Sequence, residues 1–178
     1  MNKIAGVLQG GDPRSLKGVT RAVDDVLHDP ALFAGLVQAM EHDDPIVRMR
    51  AADAAEKITR TNPEYLEPYK GRVLNTAANA EQPSLRWHHA QMLPRLRLDA
   101  SEHKQAVAIL KRYLADRSAI VKTCAMQGLA EVAMAEPSLR RSILPLLRKA
   151  TETGTAAMRA RGRRLLEALE QRKTGGTP

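Results

Sequence analysis

The stretch from Asp44 to Ile58, DPIVRMRAADAAEKI, decides the fold class of this chain. Its apolar residues recur at intervals of three and four positions, which is the period of an amphipathic helix. Asp44 can accept hydrogen bonds from the first turn of such a helix, and Pro45 suits that first turn. Several of the apolar residues are alanines, which allow a neighbouring helix to approach closely. The stretch therefore predicts a helix of about four turns that is buried on one face.

Three similar stretches follow, beginning at Gln82, Ser118 and Thr155. Each has a polar residue, then Pro or Ala, and soon afterwards an apolar residue followed by a cation. The cations are separated by 38, 36 and 37 residues, and they are Arg48, Arg86, Lys122 and Arg159. Asp12-Pro13 looks like an earlier, degenerate copy with Leu16 in place of the cation. The sequence therefore predicts a helical repeat of this length.

A second set of helices is predicted between the first. Their openings are Asp29-Pro30, Asn62-Pro63, Ser101-Glu102 and Glu136-Pro137. Pro68 and Pro145 fall inside members of this set, where proline bends a helix or delays its start. Val and Ile never form alternating runs, so no strand is expected. A chain of 178 residues fits one domain, and we expect that domain to be all-α.

The stretch Asp44 to Arg48, with the alanines that follow it and the period near 37 residues, resembles the HEAT repeat. Asp116 to Lys122 resembles a second copy, although His89 and Pro94 depart from the pattern. The resemblance implies a right-handed α-solenoid of about four to five antiparallel helix pairs, with the second helix of each pair on the concave side. It also implies protein binding as the function. On this basis we expect one HEAT-like domain over residues 1–172 and a disordered tail over residues 173–178.

Positions one, five and eight or nine residues after each cation are predicted to face the concave groove. They are Met49, Asp53, Lys57, Trp87, Gln91, Arg95, Thr123, Gln127, Glu131, Ala160, Arg164 and Glu167. These residues are polar and of both signs, which favours a protein or peptide ligand over a polyanion. Trp87 is either an anchor for a partner or a filler between repeats. The residues chosen as contacts are Trp87, Met49, Asp53, Gln91, Arg95 and Gln127, together with Arg161 and Arg164.

Positive charge is concentrated in the second half of the chain. The net charge is +8; residues 1–100 hold 13 basic and 13 acidic residues, and residues 101–178 hold 15 and 7. The basic cluster comprises Arg140, Arg141, Arg148, Lys149, Arg159, Arg161, Arg163 and Arg164. It is either a solvated cap of the last repeat or a surface for nucleic acid or an acidic protein, and no aromatic residue interleaves with it. The repeated cations are either a track for anions or structural partners of loop residues such as Asp44 and Asp116.

Signatures of catalysis and metal binding are missing from the sequence. No two of the five histidines are spaced as a metal site on one helix face requires, and Cys124 is the only cysteine. Glycine-rich phosphate loops and nucleophile elbows are also missing. His89 is expected to be buried and hydrogen-bonded, and Asp53 and Glu56 to form surface pairs with neighbouring cations. We therefore expect a non-catalytic protein without cofactor or metal.

Three functions follow from these observations as alternatives. The first is a protein-binding scaffold. We expect it to be cytoplasmic, because no secretory or membrane-spanning segment is found. The second is nucleic-acid binding through the basic half, with Trp87, Asp53 and Arg50 loosely similar to residues of HEAT-like DNA glycosylases. The third is a lyase or cofactor chaperone similar to phycobilin lyases. The oligomeric state and the identity of the partner are left open.

Overall fold

The computed structural model describes residues 2–12 and 15–174, and that part of the chain is all-helical, as predicted. Its α-helices are α1 (Lys3–Leu8), α2 (Val19–His28), α3 (Phe33–Ala39), α4 (Pro45–Thr59), α5 (Lys70–Asn79), α6 (Pro83–Met92), α7 (Ala100–Leu114), α8 (Ala119–Ala135), α9 (Arg140–Thr153) and α10 (Ala156–Thr174). Four short 3-10 segments are Pro30–Leu32, Pro63–Tyr69, Leu93–Arg95 and Pro137–Leu139. No strand occurs among the described residues.

The chain divides into two compact units, residues 1–97 and residues 98–178. In the first unit, helix α4 packs against α1, α2, α3 and α6. In the second unit, helix α8 packs against α7, α9 and α10, and α10 also packs against α9. Four alanines of α4 and three of α8 are buried in these contacts, because small side chains let several neighbouring helices approach one helix. Each unit therefore has its own core around one alanine-rich helix.

Three of the four predicted helix openings are capped by the expected side chains, whereas Gln82 makes no capping hydrogen bond. Asp44 Oδ1 accepts a hydrogen bond from Ile46 N at 2.8 Å, and Thr155 Oγ1 accepts one from Met158 N at 3.3 Å. Near the degenerate first copy, Pro13 lies outside the described residues, and helix α2 begins only at Val19.

The second set of helices begins close to the predicted positions. Three members open as 3-10 segments at the predicted prolines. Helix α7 begins at Ala100, where Asp99 and Glu102 form a capping box. Pro68 delays the following helix until Lys70, as predicted, whereas Pro145 lies inside α9. At the C-terminus, α10 continues to Thr174, and the rest of the expected disordered tail lies outside the described residues.

The repeated cations bind backbone carbonyl groups of the loop that precedes their own helix. Arg48 Nη1 donates to His42 O at 2.7 Å and to Asp43 O at 3.0 Å. Arg159 Nη1 donates to Gly154 O at 2.7 Å. Arg86 Nη1 donates in the same way to the carbonyls of residues 80 and 81. The cation is therefore structural in these three copies, and through these carbonyls it ties each loop to the helix that follows.

Arg50 lies in the interior of the first unit and is fully buried. Its Nη1 donates to Leu8 O and Gly10 O, both at 2.7 Å, and its Nη2 donates to Asp12 O at 2.8 Å. Its Nη2 also donates to Ser15 Oγ at 3.1 Å, and its Nε donates to Ser15 O at 3.0 Å. The expectation that Arg50 joins the surface pairs is therefore wrong, because its side chain is used to bind the N-terminal segment to α4.

Among the described residues, no helix combines the length and the apolar character needed to cross a membrane.

We predict that Arg50→Met destabilises the first unit strongly, because it removes the buried guanidinium and leaves Leu8 O in the interior, and three further carbonyls, without their donor. The expected loss of unfolding free energy is at least about 3 kcal/mol. The measurement is urea unfolding followed by the fluorescence of Trp87, the only tryptophan and a residue of the same unit. The control is Arg72→Met, which removes an exposed pair with Glu41 and is expected to cost less than about 1 kcal/mol. Equal losses in the two variants would contradict the structural role of Arg50.

Candidate functional site

Helices α4 and α6 pack against each other in the first unit, and polar residues from both helices lie around Trp87. Asp53 and Lys57 lie one turn apart on α4, while Trp87, His88 and Gln91 lie on α6. We call these five residues the Trp87 cluster. Trp87, Asp53 and Gln91 are three of the predicted contact residues, and Lys57 was predicted to share their groove.

His88 fixes the position of the Trp87 indole ring. Its Nδ1 lies 2.7 Å from Ser84 O, to which it donates, so in the neutral ring Nε2 is free to accept. Trp87 Nε1 donates to this Nε2 at 3.1 Å, and the centres of the two rings are 5.4 Å apart. The indole is half-buried, whereas His88 is buried. The polar edge of the indole is therefore satisfied within the protein, and its remaining exposed surface is apolar.

Asp53 joins the cluster from helix α4 and is 14% exposed. Its Oδ2 accepts a hydrogen bond from Lys57 Nζ at 2.6 Å, and its Oδ1 lies 3.3 Å from His88 Nε2. Burial alone would raise the pKa of Asp53, but the contacts with His88 and Lys57 outweigh burial and hold it below its ordinary value. Asp53 is therefore a carboxylate at neutral pH.

Glu56 lies one turn from the Trp87 cluster. Its buried ion pairs, here called the brace, join α4 to the 3-10 segment that follows α6. The carboxylate is 1% exposed, and its oxygens accept from Arg60 Nε at 2.9 Å, Arg60 Nη2 at 2.6 Å and Arg95 Nη2 at 2.6 Å. Arg95 Nη1 also donates to Glu56 O at 2.8 Å and to Thr59 Oγ1 at 2.9 Å. The expectation of a surface pair is therefore wrong for Glu56, because the carboxylate lies in the interior.

The pKa of Glu56 reflects this balance of burial and positive charge. Burial alone raises the pKa, and the hydrogen bonds and charges of Arg60 and Arg95 lower it further than burial raises it. Glu56 therefore stays ionised, and the pair it forms with Arg95 holds the two helices together. Arg95 was predicted as a contact residue, and the structure places its guanidinium in this brace, where 20% of the side chain is exposed.

The other predicted contact residues lie away from the Trp87 cluster. Met49 is half-buried on α4. In the second unit, Gln127 Nε2 donates to Glu131 Oε1 at 2.7 Å, and Arg161 Nη1 donates to Gln127 Oε1 at 3.0 Å. Arg164 is exposed on α10. The structure therefore brings together the residues around Trp87 and, separately, Gln127 with Arg161.

His88 is the cluster member that sequence reasoning missed as a contact residue. It was considered only as a metal ligand, although its position next to Trp87 is a signal that could have pointed to an aromatic pair. Among the described residues, no group of three or more His, Cys, Asp or Glu side chains could hold a metal ion. Both nitrogens of the His88 ring contact groups of the protein, so the ring positions Trp87.

His89 is fully buried and hydrogen-bonded, as predicted. Its Nδ1 donates to Leu85 O at 2.8 Å, and its Nε2 lies 3.0 Å from Thr76 Oγ1. Burial lowers the pKa of His89 to about 4, because the charged ring would lose its hydration. His89 is therefore neutral at physiological pH and belongs to the core beneath the site.

We predict that His89 makes the first unit less stable as the pH falls from about 6.5 to about 4. The unfolded chain binds a proton in this window that the folded chain excludes, so protons favour unfolding. At pH 5 this effect amounts to about 2 kcal/mol relative to pH 7. The measurement is the free energy of unfolding at both pH values, followed by Trp87 fluorescence. His89→Ala should lose this part of the pH dependence, the His28→Ala variant, changed at an exposed histidine, should keep it, and an identical slope in all three proteins would refute the assignment.

We predict that Arg95→Gln lowers the unfolding free energy of the first unit by about 3 kcal/mol, because Glu56 stays buried with one charged partner fewer. The matched control is Arg97→Gln, since Arg97 is exposed two residues further along the chain. Urea unfolding of both variants at pH 7 gives the comparison. A stable Arg95→Gln protein would mean that the brace does not hold α4 and α6 together.

Comparison of the chain with protein-family models and curated proteins found no match. The role of the Trp87 cluster is therefore inferred from its own residues and geometry.

Proposed function

We propose that this protein is a non-catalytic protein-binding scaffold that holds a peptide segment of its partner against the Trp87 cluster. The observation that carries this proposal is the half-buried indole of Trp87, which His88 holds in one orientation at 3.1 Å. Tryptophan is the residue type most enriched among the residues that dominate binding energy at protein interfaces. An indole already held in place also loses little conformational freedom when a partner binds.

The residues beside the indole suit a peptide better than a polyanion. Asp53 and Lys57 present one negative and one positive charge that already neutralise each other. Gln91 donates its side-chain amide to Trp87 O at 3.2 Å, so its carbonyl oxygen remains able to accept a hydrogen bond. A run of phosphates would meet the Asp53 carboxylate here, whereas a peptide supplies both donors and acceptors. The exposed indole surface supplies the apolar contact.

The proposed architecture is the right-handed HEAT-like solenoid, with the cluster on its concave side and a cytoplasmic location. The support for this architecture is that one local contact recurs along the chain. In three of the four copies the cation after the helix opening donates to carbonyls of the loop before it. Repeats that fold in the same local way can stack with similar interfaces. The family resemblance and the location stay predictions.

Nucleic-acid binding is the alternative that a specific observation favours. Arg141, Arg148, Arg163 and Arg164 are exposed in the second unit. The glycosylase-like trio is not assembled, however, because Arg50 is buried on the N-terminal segment while Trp87 and Asp53 lie in the cluster. The alternative therefore depends only on diffuse positive charge.

We predict that peptides selected from a random displayed library on the full-length chain include a class that depends on Trp87. The Trp87→Ala variant should bind these peptides at least tenfold more weakly, which corresponds to roughly 1.4 kcal/mol or more. The Trp87→Phe variant should restore part of the affinity. Binding should also shift the emission of Trp87, because the peptide replaces water at the indole.

The control is the double variant Arg161→Gln with Arg164→Gln, which lowers the positive charge and leaves the Trp87 cluster intact. We expect it to bind the same peptides as the unmodified chain does. The scaffold proposal fails if no selected peptide responds to Trp87→Ala. It also fails if the chain binds duplex or single-stranded DNA at physiological salt, with an affinity that drops steeply as salt rises and depends on Arg161 and Arg164.

A further inference from the structure

The second unit contains an open groove of about 400 Å³ that the Trp87 cluster does not involve. Its charged lining residues are Lys111 from α7, Lys122 from α8 and Lys149 from α9. Its apolar lining includes Leu114, Leu146 and Met158. We infer that this lysine groove binds an acidic peptide segment in which carboxylates flank an apolar side chain.

Positive charge in the lysine groove is not neutralised by the protein. Within the described residues, none of the three lysine side chains forms a hydrogen bond or an ion pair, and no Asp or Glu lines the groove. Arg159 adds a further cation near the rim, since its guanidinium binds the carbonyl of Gly154, which is a lining residue. Like charges held around one groove repel each other, so a bound anion gains favourable interactions with several of them.

The first unit contains a second groove, of about 310 Å³, at the corresponding place in its own repeats. Most lining residues of the two grooves match at a constant separation of 74, for example 41 with 115, 48 with 122, 75 with 149 and 81 with 155, whereas Lys111, Leu146 and Met158 line only the second groove. The residues lining the first-unit groove at those four positions are Glu41, Arg48, Asn75 and Glu81. In the second unit they are Ala115, Lys122, Lys149 and Thr155.

The first groove shows which lining residues the fold itself requires, because it forms with a different set of charges. The first groove carries two acidic residues, and its cation Arg48 is occupied by loop carbonyls and by Gln82 Oε1 at 2.6 Å. The lysine groove has lost both acids and has a lysine where Asn75 stands in the first. The same local fold therefore forms without excess positive charge. Lys149, which stands where Asn75 does, is therefore not required to build the groove, whereas Lys122 stands at the position of Arg48.

The lining favours a peptide over the other anions. Leucine and methionine side chains lie among the lysines, so the groove offers apolar contact and charge within the same space. No aromatic ring lines it, which leaves the bases of a nucleic acid without a stacking partner. Acidic peptide segments with Leu or Phe between Glu or Asp residues combine the two required features.

The test uses the full-length chain and a fluorescein-labelled peptide of repeated Glu-Glu-Leu, with binding followed by fluorescence anisotropy. The double variant Lys122→Gln with Lys149→Gln should weaken binding about tenfold, since each lost charge contact contributes roughly 0.5 to 1 kcal/mol. Leu146→Ser should also weaken it, by about threefold. The control, Lys104→Gln with Arg163→Gln, removes the same charge from the second unit outside the groove and should stay within about twofold of the unmodified chain. Circular dichroism confirms that each variant is folded.

Three outcomes would overturn the inference. The first is equal affinity of the double variant and the control for the acidic peptide. The second is equal binding of a Lys-Lys-Leu peptide. The third is single-stranded DNA that binds more tightly than the acidic peptide and responds to the same two lysine substitutions, since the groove would then serve nucleic acid. Trp87→Ala should leave this binding unchanged, so this inference and the proposed function can fail separately.

Discussion

The buried carboxylate of Glu56 holds the candidate site together. It lies in the interior of the first unit, where two guanidinium groups from α4 and from the end of α6 satisfy it. A carboxylate buried without such partners would be far too costly to keep ionised, so α4 and the 3-10 segment after α6 are held at the spacing that lets Arg95 reach it. One turn further along α4, the same spacing brings Asp53 and Lys57 to Trp87 and His88. The geometry of the exposed indole thus follows from an ion cluster beneath it.

The chain repeats one contact, between a cation and loop carbonyls, while the side chains that line the neighbouring grooves differ. An arginine after the helix opening binds carbonyls of the preceding loop in three copies, which closes each turn in the same way. Once the loop is held by backbone atoms, the side chains that face the neighbouring groove are free to vary. In the first unit they include two glutamates, and in the second they are lysines among apolar residues. Two grooves of similar build therefore offer opposite charge.

Sequence reasoning was most successful where local chemistry decides the outcome. The helix openings at Asp44, Ser118 and Thr155, the delayed helix after Pro68 and the buried His89 were all predicted, because capping, proline geometry and helical period act within a few residues. It failed for Arg50 and Glu56. Both look like ordinary members of a charged helix surface in the sequence, and only the segments that pack over them show that they are buried.

The sequence by itself determined that this chain is helical and which faces its helices bury, since these properties follow from the spacing of apolar residues and from local caps. Tertiary structure alone decided which charges became structural and which stayed free to bind. Backbone carbonyls bind the guanidinium of Arg50, and the buried Glu56 carboxylate binds those of Arg60 and Arg95. By contrast, an open groove is lined by Lys111, Lys122 and Lys149. The physical reason is that the state of a charged side chain depends on its solvation and its partners, and these come from residues distant in the chain.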